Sequence, residues 1–124
     1  MSNEHSLYRQ EILEHYRNPQ NFGKLQKANI SAEQVNELCG DEMQLWIKTD
    51  KSGKVTEVKF TGRGCALSIA SASYFTEFIK GKNLSELKKM KPEEAAALLG
   101  VEVGHARMKC VLLPYDTLKQ SLKN

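Results

Sequence analysis

The sequence contains no apolar run long enough to cross a membrane. Its first residues, Met1-Ser2-Asn3-Glu4-His5, lack the basic and then apolar regions of a signal peptide. A cytoplasmic location is therefore expected. There is no internal repeat, low-complexity stretch or long linker, which leaves a single domain over residues 1–124. The net charge is only +3, its signs are mixed along the chain, and no basic stripe interleaves with aromatics. Neither nucleic acid nor membrane is expected as a partner. The cysteines number 3 and include no Cys-x-x-Cys pair. That excludes a closed disulfide framework, an ordinary zinc ribbon and a thioredoxin-type site, and in the cytoplasm the thiols should stay reduced. A hydrophobic content of 40% and a charged content of 27% describe a soluble globular chain able to bury one modest core.

Periodicity gives the elements. Leu7 to Tyr16 reads as an amphipathic helix, with Tyr8, Ile12 and Tyr16 as a packing stripe and Asn18-Pro19 as its stop. Lys24 to Asn36 reads as a loop with one short edge strand. Glu42 to Thr49 alternates, with Met43, Leu45 and Ile47 on one face. Val55 to Thr61 alternates again, and the turn at Asp50-Lys51-Ser52-Gly53 pairs the two strands as an antiparallel hairpin. Gly62-Arg63-Gly64 ends the second strand. A helix follows from about Ala66 to Lys80, kept slim by Ala70, Ser71 and Ala72. Ser85 is the expected cap of a short turn through Lys89, and Pro92-Glu93-Glu94 opens a helix that ends at Gly100. A last helix is expected from near Cys110 to Leu122, with Pro114 in its first turn.

All three cysteines fall at element boundaries: Cys39 before a strand, Cys65 and Cys110 before helices. A helix N-terminus presents unpaired N–H groups and the positive end of the dipole, which favour a nucleophilic, metal-binding thiolate. Glycine neighbours in Cys39-Gly40-Asp41 and Gly64-Cys65 let backbone and ligand approach closely. Isolated buried cysteines are usually inert, but three at boundaries, one of them two residues from a carboxylate, point to a metal ion, an iron–sulfur cluster or reactive sulfur on Cys39, Asp41, Cys65 and Cys110. Asp41 either stabilises a turn or acts as a ligand. His105, five residues before Cys110, is an alternative ligand by position, although a lone loop histidine is usually solvent-exposed.

Four segments, in order, resemble the U-type iron–sulfur cluster assembly scaffolds, comprising IscU, SufU and the N-terminal domain of NifU. They are His15-Tyr16-Arg17-Asn18-Pro19-Gln20-Asn21-Phe22-Gly23, Cys39-Gly40-Asp41, Gly62-Arg63-Gly64-Cys65 with Ser68-Ile69-Ala70-Ser71-Ala72-Ser73, and Ala106-Arg107-Met108-Lys109-Cys110. The match runs from about Leu7 to Leu122. It implies an α+β fold, a small antiparallel sheet of about three strands with helices packed on one side and the cysteines gathered at one end. It also implies a scaffold or carrier rather than an enzyme. Such a protein accepts persulfide sulfur from a cysteine desulfurase, builds a [2Fe–2S] cluster from iron, and passes it to apo iron–sulfur proteins. The desulfurase meets the N-terminal region of such proteins, where Tyr8 lies.

Two departures matter. Lys109 stands where IscU proteins carry histidine, and Val101-Glu102-Val103-Gly104-His105 replaces their Leu-Pro-Pro-Val-Lys stretch. Both lean toward the SufU-like branch, some members of which bind zinc and act as sulfurtransferases, although the insertion typical of SufU is shortened or absent. Zinc is thus the alternative occupant. Three thiolates and one carboxylate bring four negative charges, and Zn²⁺ or a [2Fe–2S]²⁺ core leaves two. Arg107 and Lys109, beside Cys110, are placed to offset part of that excess from outside the ligand set. Cys110, with these basic neighbours, is the expected sulfur acceptor, because persulfide transfer needs a thiolate attacker.

Overall fold

A computed structural model describes residues 3–37 and 40–122, with the backbone alone over 3–8. Helix α1 (Asn3–Arg17) leads into three strands, β1 (Ile30–Asn36), β2 (Asp41–Thr49) and β3 (Val55–Arg63). They form one antiparallel sheet in the order β1-β2-β3. Helices α2 (Ala66–Ile79), α3 (Leu84–Lys88) and α4 (Pro92–Ala97) follow. A 3-10 turn (His105–Arg107) then precedes α5 (Met108–Val111) and α6 (Leu113–Ser121). The α+β architecture expected from the sequence is present. No helix among the described residues is long and apolar enough to cross a membrane.

The sheet shows why one side carries the helices. Strand side chains alternate between faces. In β2, Met43, Leu45 and Ile47 are buried while Gln44 and Lys48 are exposed. The buried face packs on Ala72, Phe75 and Ile79 of α2 and on Leu118 of α6. Val55 and Val58 of β3 are both buried although three residues apart, which strict alternation forbids. A register shift between Lys48 and Thr49 resolves this: Glu57 pairs with Lys48 and Val55 with Thr49, so Thr56 is an extra residue, and both valines face inward. The strand extends two residues beyond the expected end at Thr61.

Helix α2 is the hub. Its small buried residues admit neighbours on several sides, as its slim composition suggested. Ser71 Oγ donates to the Val111 carbonyl at 2.6 Å, tying α5 to it. Ser73 Oγ lies 2.7 Å from His15 Nδ1 and accepts from the Gln20 N–H at 2.8 Å, while the His15 ring stacks on Tyr74. Asn21 donates to Thr76 Oγ1, and its carbonyl accepts from the Phe60 N–H. The segment His15–Gly23 is therefore a strap joining α1, α2 and the outer edge of β3. Ser73→Ala would strip partners from two groups of this strap, and is expected to cost about 1–3 kcal/mol in a denaturant melt. Tyr115, at the far end, donates to the Met90 carbonyl at 2.8 Å. Burial raises its pKa above the ordinary tyrosine value, which keeps it the donor.

Several boundaries differ from expectation. Ile12 is buried but Tyr16 is 42% exposed, so the α1 stripe is only partly packing; the side chain of Tyr8 lies outside the described residues. Asn83, not Ser85, caps α3, its side chain accepting from the Ser85 N–H, because the chain becomes helical already at Leu84, two residues earlier than a Ser85 cap implies. Helix α4 stops at Ala97 and closes through a turn to Gly100, which has positive φ. The last helix is split at Leu112, so Cys110 lies inside the one-turn α5 and α6 begins only at Leu113, with Pro114 in its first turn.

Candidate metal and sulfur site

Asp41 opens β2, two residues before Met43, and so shares the inward face of that strand. It is 1% exposed. It is therefore no surface turn residue: the turn falls to Gly40, whose φ of 71° is a left-handed conformation that glycine adopts without strain. Oδ1 of Asp41 accepts from the Cys65 N–H at 3.2 Å, and Oδ2 is buried with no hydrogen-bond partner among the described residues. A buried carboxylate oxygen left so is costly unless something positive meets it.

Cys65 is the N-cap of α2, as expected, and is partly exposed. Ser68, one turn on and fully buried, donates to the Cys65 carbonyl at 3.0 Å, and its Oγ lies 3.9 Å from Cys65 Sγ. Gly64 permits this closeness. A Cβ there would lie 2.5 Å from both Asp41 Oδ1 and Ser68 Oγ. Cys110 is buried and held by α5, whose Val111 carbonyl is anchored by Ser71.

Asp41, Cys65 and Cys110 each offer a ligand atom, and these atoms all lie within 4.8 Å of one another. Tetrahedral Zn²⁺ with Zn–S bonds of about 2.3 Å needs sulfurs about 3.8 Å apart, so a modest contraction makes a site for a metal ion. Thiolate and carboxylate donors suit Zn²⁺, and thiolates suit iron–sulfur cores. One side of the site is closed by Asp41 and Cys110. Cys65 is the most exposed of the three, and its neighbour Gly64 lines a groove of about 760 Å³ together with Tyr16, Arg17 and Phe22 among others.

A matching architecture recurs in known proteins. The model of the NifU-like N-terminal domain matches residues 7–124. The chain belongs to this family. The family member named iron–sulfur cluster assembly enzyme IscU of Drosophila melanogaster is 37% identical over 120 residues, covering 94% of this chain and 77% of that protein. The iron–sulfur cluster assembly scaffold protein IscU of Haemophilus influenzae is 37% identical over 118 residues, covering 93% and 92%. Among solved structures, a SUF-system scaffold, SufU of Fervidobacterium islandicum AW-1, superposes with a TM-score of 0.79 at 31% identity over 96% of this chain and 98% of that one.

Of the residues the sequence pointed to within this family motif set, Asp41, Cys65 and Cys110 come together, and Cys39 lies outside the described residues. His105, Arg107 and Lys109 are exposed on the 3-10 turn and α5. Sequence reasoning missed Ser68, and it missed Asn36, whose side-chain amide nitrogen is buried across from Asp41 with no hydrogen-bond partner among the described residues. Ser68 had a signal in its position three residues after an N-cap, where side chains turn back to the cap. Asn36 had none, since its place follows from strand register.

Proposed function

We propose that this chain is a scaffold and carrier for iron–sulfur cluster assembly rather than an enzyme, acting as one domain over residues 1–124. It takes sulfur from a cysteine desulfurase, holds a labile [2Fe–2S] cluster as cargo on Cys39, Asp41, Cys65 and Cys110, and hands it to apo iron–sulfur proteins. The observation that carries this is the convergence of Asp41, Cys65 and Cys110, one carboxylate oxygen of Asp41 being buried with no hydrogen-bond partner among the described residues. Membership of a family whose relatives bear scaffold names supports it. Thiols that must stay reduced favour the cytoplasm.

Cys110 is the proposed sulfur acceptor. Its thiolate attacks the outer sulfur of the desulfurase persulfide, a new S–S bond forms, the old one breaks, and the desulfurase cysteine leaves as thiolate. Because Cys110 is buried, this step requires the short α5 turn to lift. The exposed Arg107 and Lys109 beside it would stabilise the incoming negative charge. Incubation with desulfurase and cysteine should give a mass gain of one sulfur atom on the peptide containing Cys110. A gain confined to Cys39 or Cys65 would move the assignment.

The donor set also accepts Zn²⁺, and the second reading is a zinc-dependent sulfurtransferase on these residues. Metal and acid-labile sulfide analysis of protein purified without oxygen separates the two. Iron with sulfide and a transferable visible chromophore supports the scaffold. Zinc with desulfurase stimulation and no cluster on reconstitution supports the transferase.

A further inference from the structure

Two buried polar atoms among the described residues have no hydrogen-bond partner: Oδ2 of Asp41 and Nδ2 of Asn36. They are not scattered. Asn36 closes β1, Asp41 opens β2, and the two are direct cross-strand partners. Directly opposed residues of an antiparallel pair point to the same face, with Cβ atoms about 5 Å apart. The inward face of β1 carries Ile30, Ala32, Gln34 and Asn36, opposite Ile47, Leu45, Met43 and Asp41. The Asn36 amide thus stands on the site's face, next to the carboxylate.

Asp41 Oδ2 is an acceptor and is explained by a metal. Nδ2 of Asn36 is a donor, and a metal repels it. Desolvating an amide N–H without a partner costs about 1–3 kcal/mol. What the donor needs is an anion; the neighbouring Asp41 carboxylate is taken up by the metal on this reading, which leaves the sulfurs as acceptors. We propose that Asn36 donates a hydrogen bond to anionic sulfur bound at Asp41, Cys65 and Cys110, either a cysteine thiolate or the inorganic sulfide of a cluster. It is a positioning residue for the cargo, not a ligand. Such donors to sulfur stabilise the bound state and raise its reduction potential, since they disperse negative charge. The inference rests on the reading of the site as a holder of metal and sulfur.

Asn36→Leu removes the donor while keeping the branched shape of the side chain, and Asn36→Asp replaces it with a negative acceptor. In the apo-protein, Asn36→Leu should leave Tm unchanged or raise it, because the lost amide had no partner. After anaerobic reconstitution with iron and sulfide, both variants should lose the cluster about tenfold faster, the worth of one charge-assisted hydrogen bond. Asn36→Leu should also show a more negative reduction potential. Titration with Zn²⁺ alone, against a chelator, identifies the sulfur: weaker zinc binding in Asn36→Leu assigns the bond to a thiolate, whereas a change confined to the cluster assigns it to sulfide. Unchanged cluster lifetime and potential in both variants would overturn the inference, as would an apo Asn36→Leu protein that melts several degrees lower. If the native protein loads neither zinc nor cluster, the functional reading itself fails, independently of Asn36.

Discussion

Asp41→Ala is expected to lengthen the lifetime of a reconstituted cluster by about tenfold, a change of about 1.4 kcal/mol in its hold. Stable clusters rest on thiolates, and a carboxylate oxygen is the harder, weaker partner for them. Asp41 also places a buried carboxylate beside the sulfurs of Cys65 and Cys110. Removing it would leave less repulsion among the remaining ligands. Zinc should respond in the opposite sense, because Zn²⁺ uses carboxylate oxygen well and would lose one of its four ligands. Decay of visible absorption in air, set beside zinc affinity from chelator competition, checks both signs. A cluster that decays as fast as the native one, or faster, would remove lability as the reason for an aspartate here.

Gly64→Ala should be more damaging. The new methyl group would stand 2.5 Å from Asp41 Oδ1 and from Ser68 Oγ, and 2.8 Å from Asp41 Cγ. Neither neighbour can swing away, since Asp41 and Ser68 are both buried. Relief requires Asp41 to abandon the Cys65 N–H or the start of α2 to shift, and either separates the ligands. Overpacking of this kind costs about 1–3 kcal/mol, a fall in Tm on the order of 10 °C, and zinc or cluster uptake should be largely lost. Gly104→Ala is the matched control, because nothing lies within 4 Å of its Cβ position and its φ of −63° suits alanine. If Gly64→Ala melts and loads like Gly104→Ala, the close approach at Gly64 has no consequence for the site.

Long periodic stretches made much of this fold legible. Met43, Leu45 and Ile47 announced the inward face of β2, and Ala70 to Ser73 announced a helix that others could approach. Extending the β2 alternation by one step would have placed Asp41 inward as well. The first residue of a strand after Cys-Gly reads equally well as a turn, and only the structure separates the two. Cys110 resisted for a different reason. Val111, Leu112 and Leu113 form an unbroken apolar run with no period, so nothing local shows that the helix breaks at Leu112. The exchange of Asn83 for Ser85 as a cap is a shift of two residues between two good capping residues. Asn36 depends on the register between β1 and β2, a property of two strands and the turn between them that neither sequence alone contains.

The candidate ligands among the described residues come from three separate parts of the chain: the start of β2, the cap of α2 and the α5 turn. Cargo bound there is a clasp as well as a load. Each loaded molecule has its sheet, its hub helix and its late helical turn fastened at one point, and mass action makes that fastening a gain in stability that grows with metal concentration. Without the clasp, the 4-residue α5 is still tied to α2 by the hydrogen bond from Ser71 to the Val111 carbonyl. On the proposed function, loading would therefore stiffen this corner relative to the empty protein.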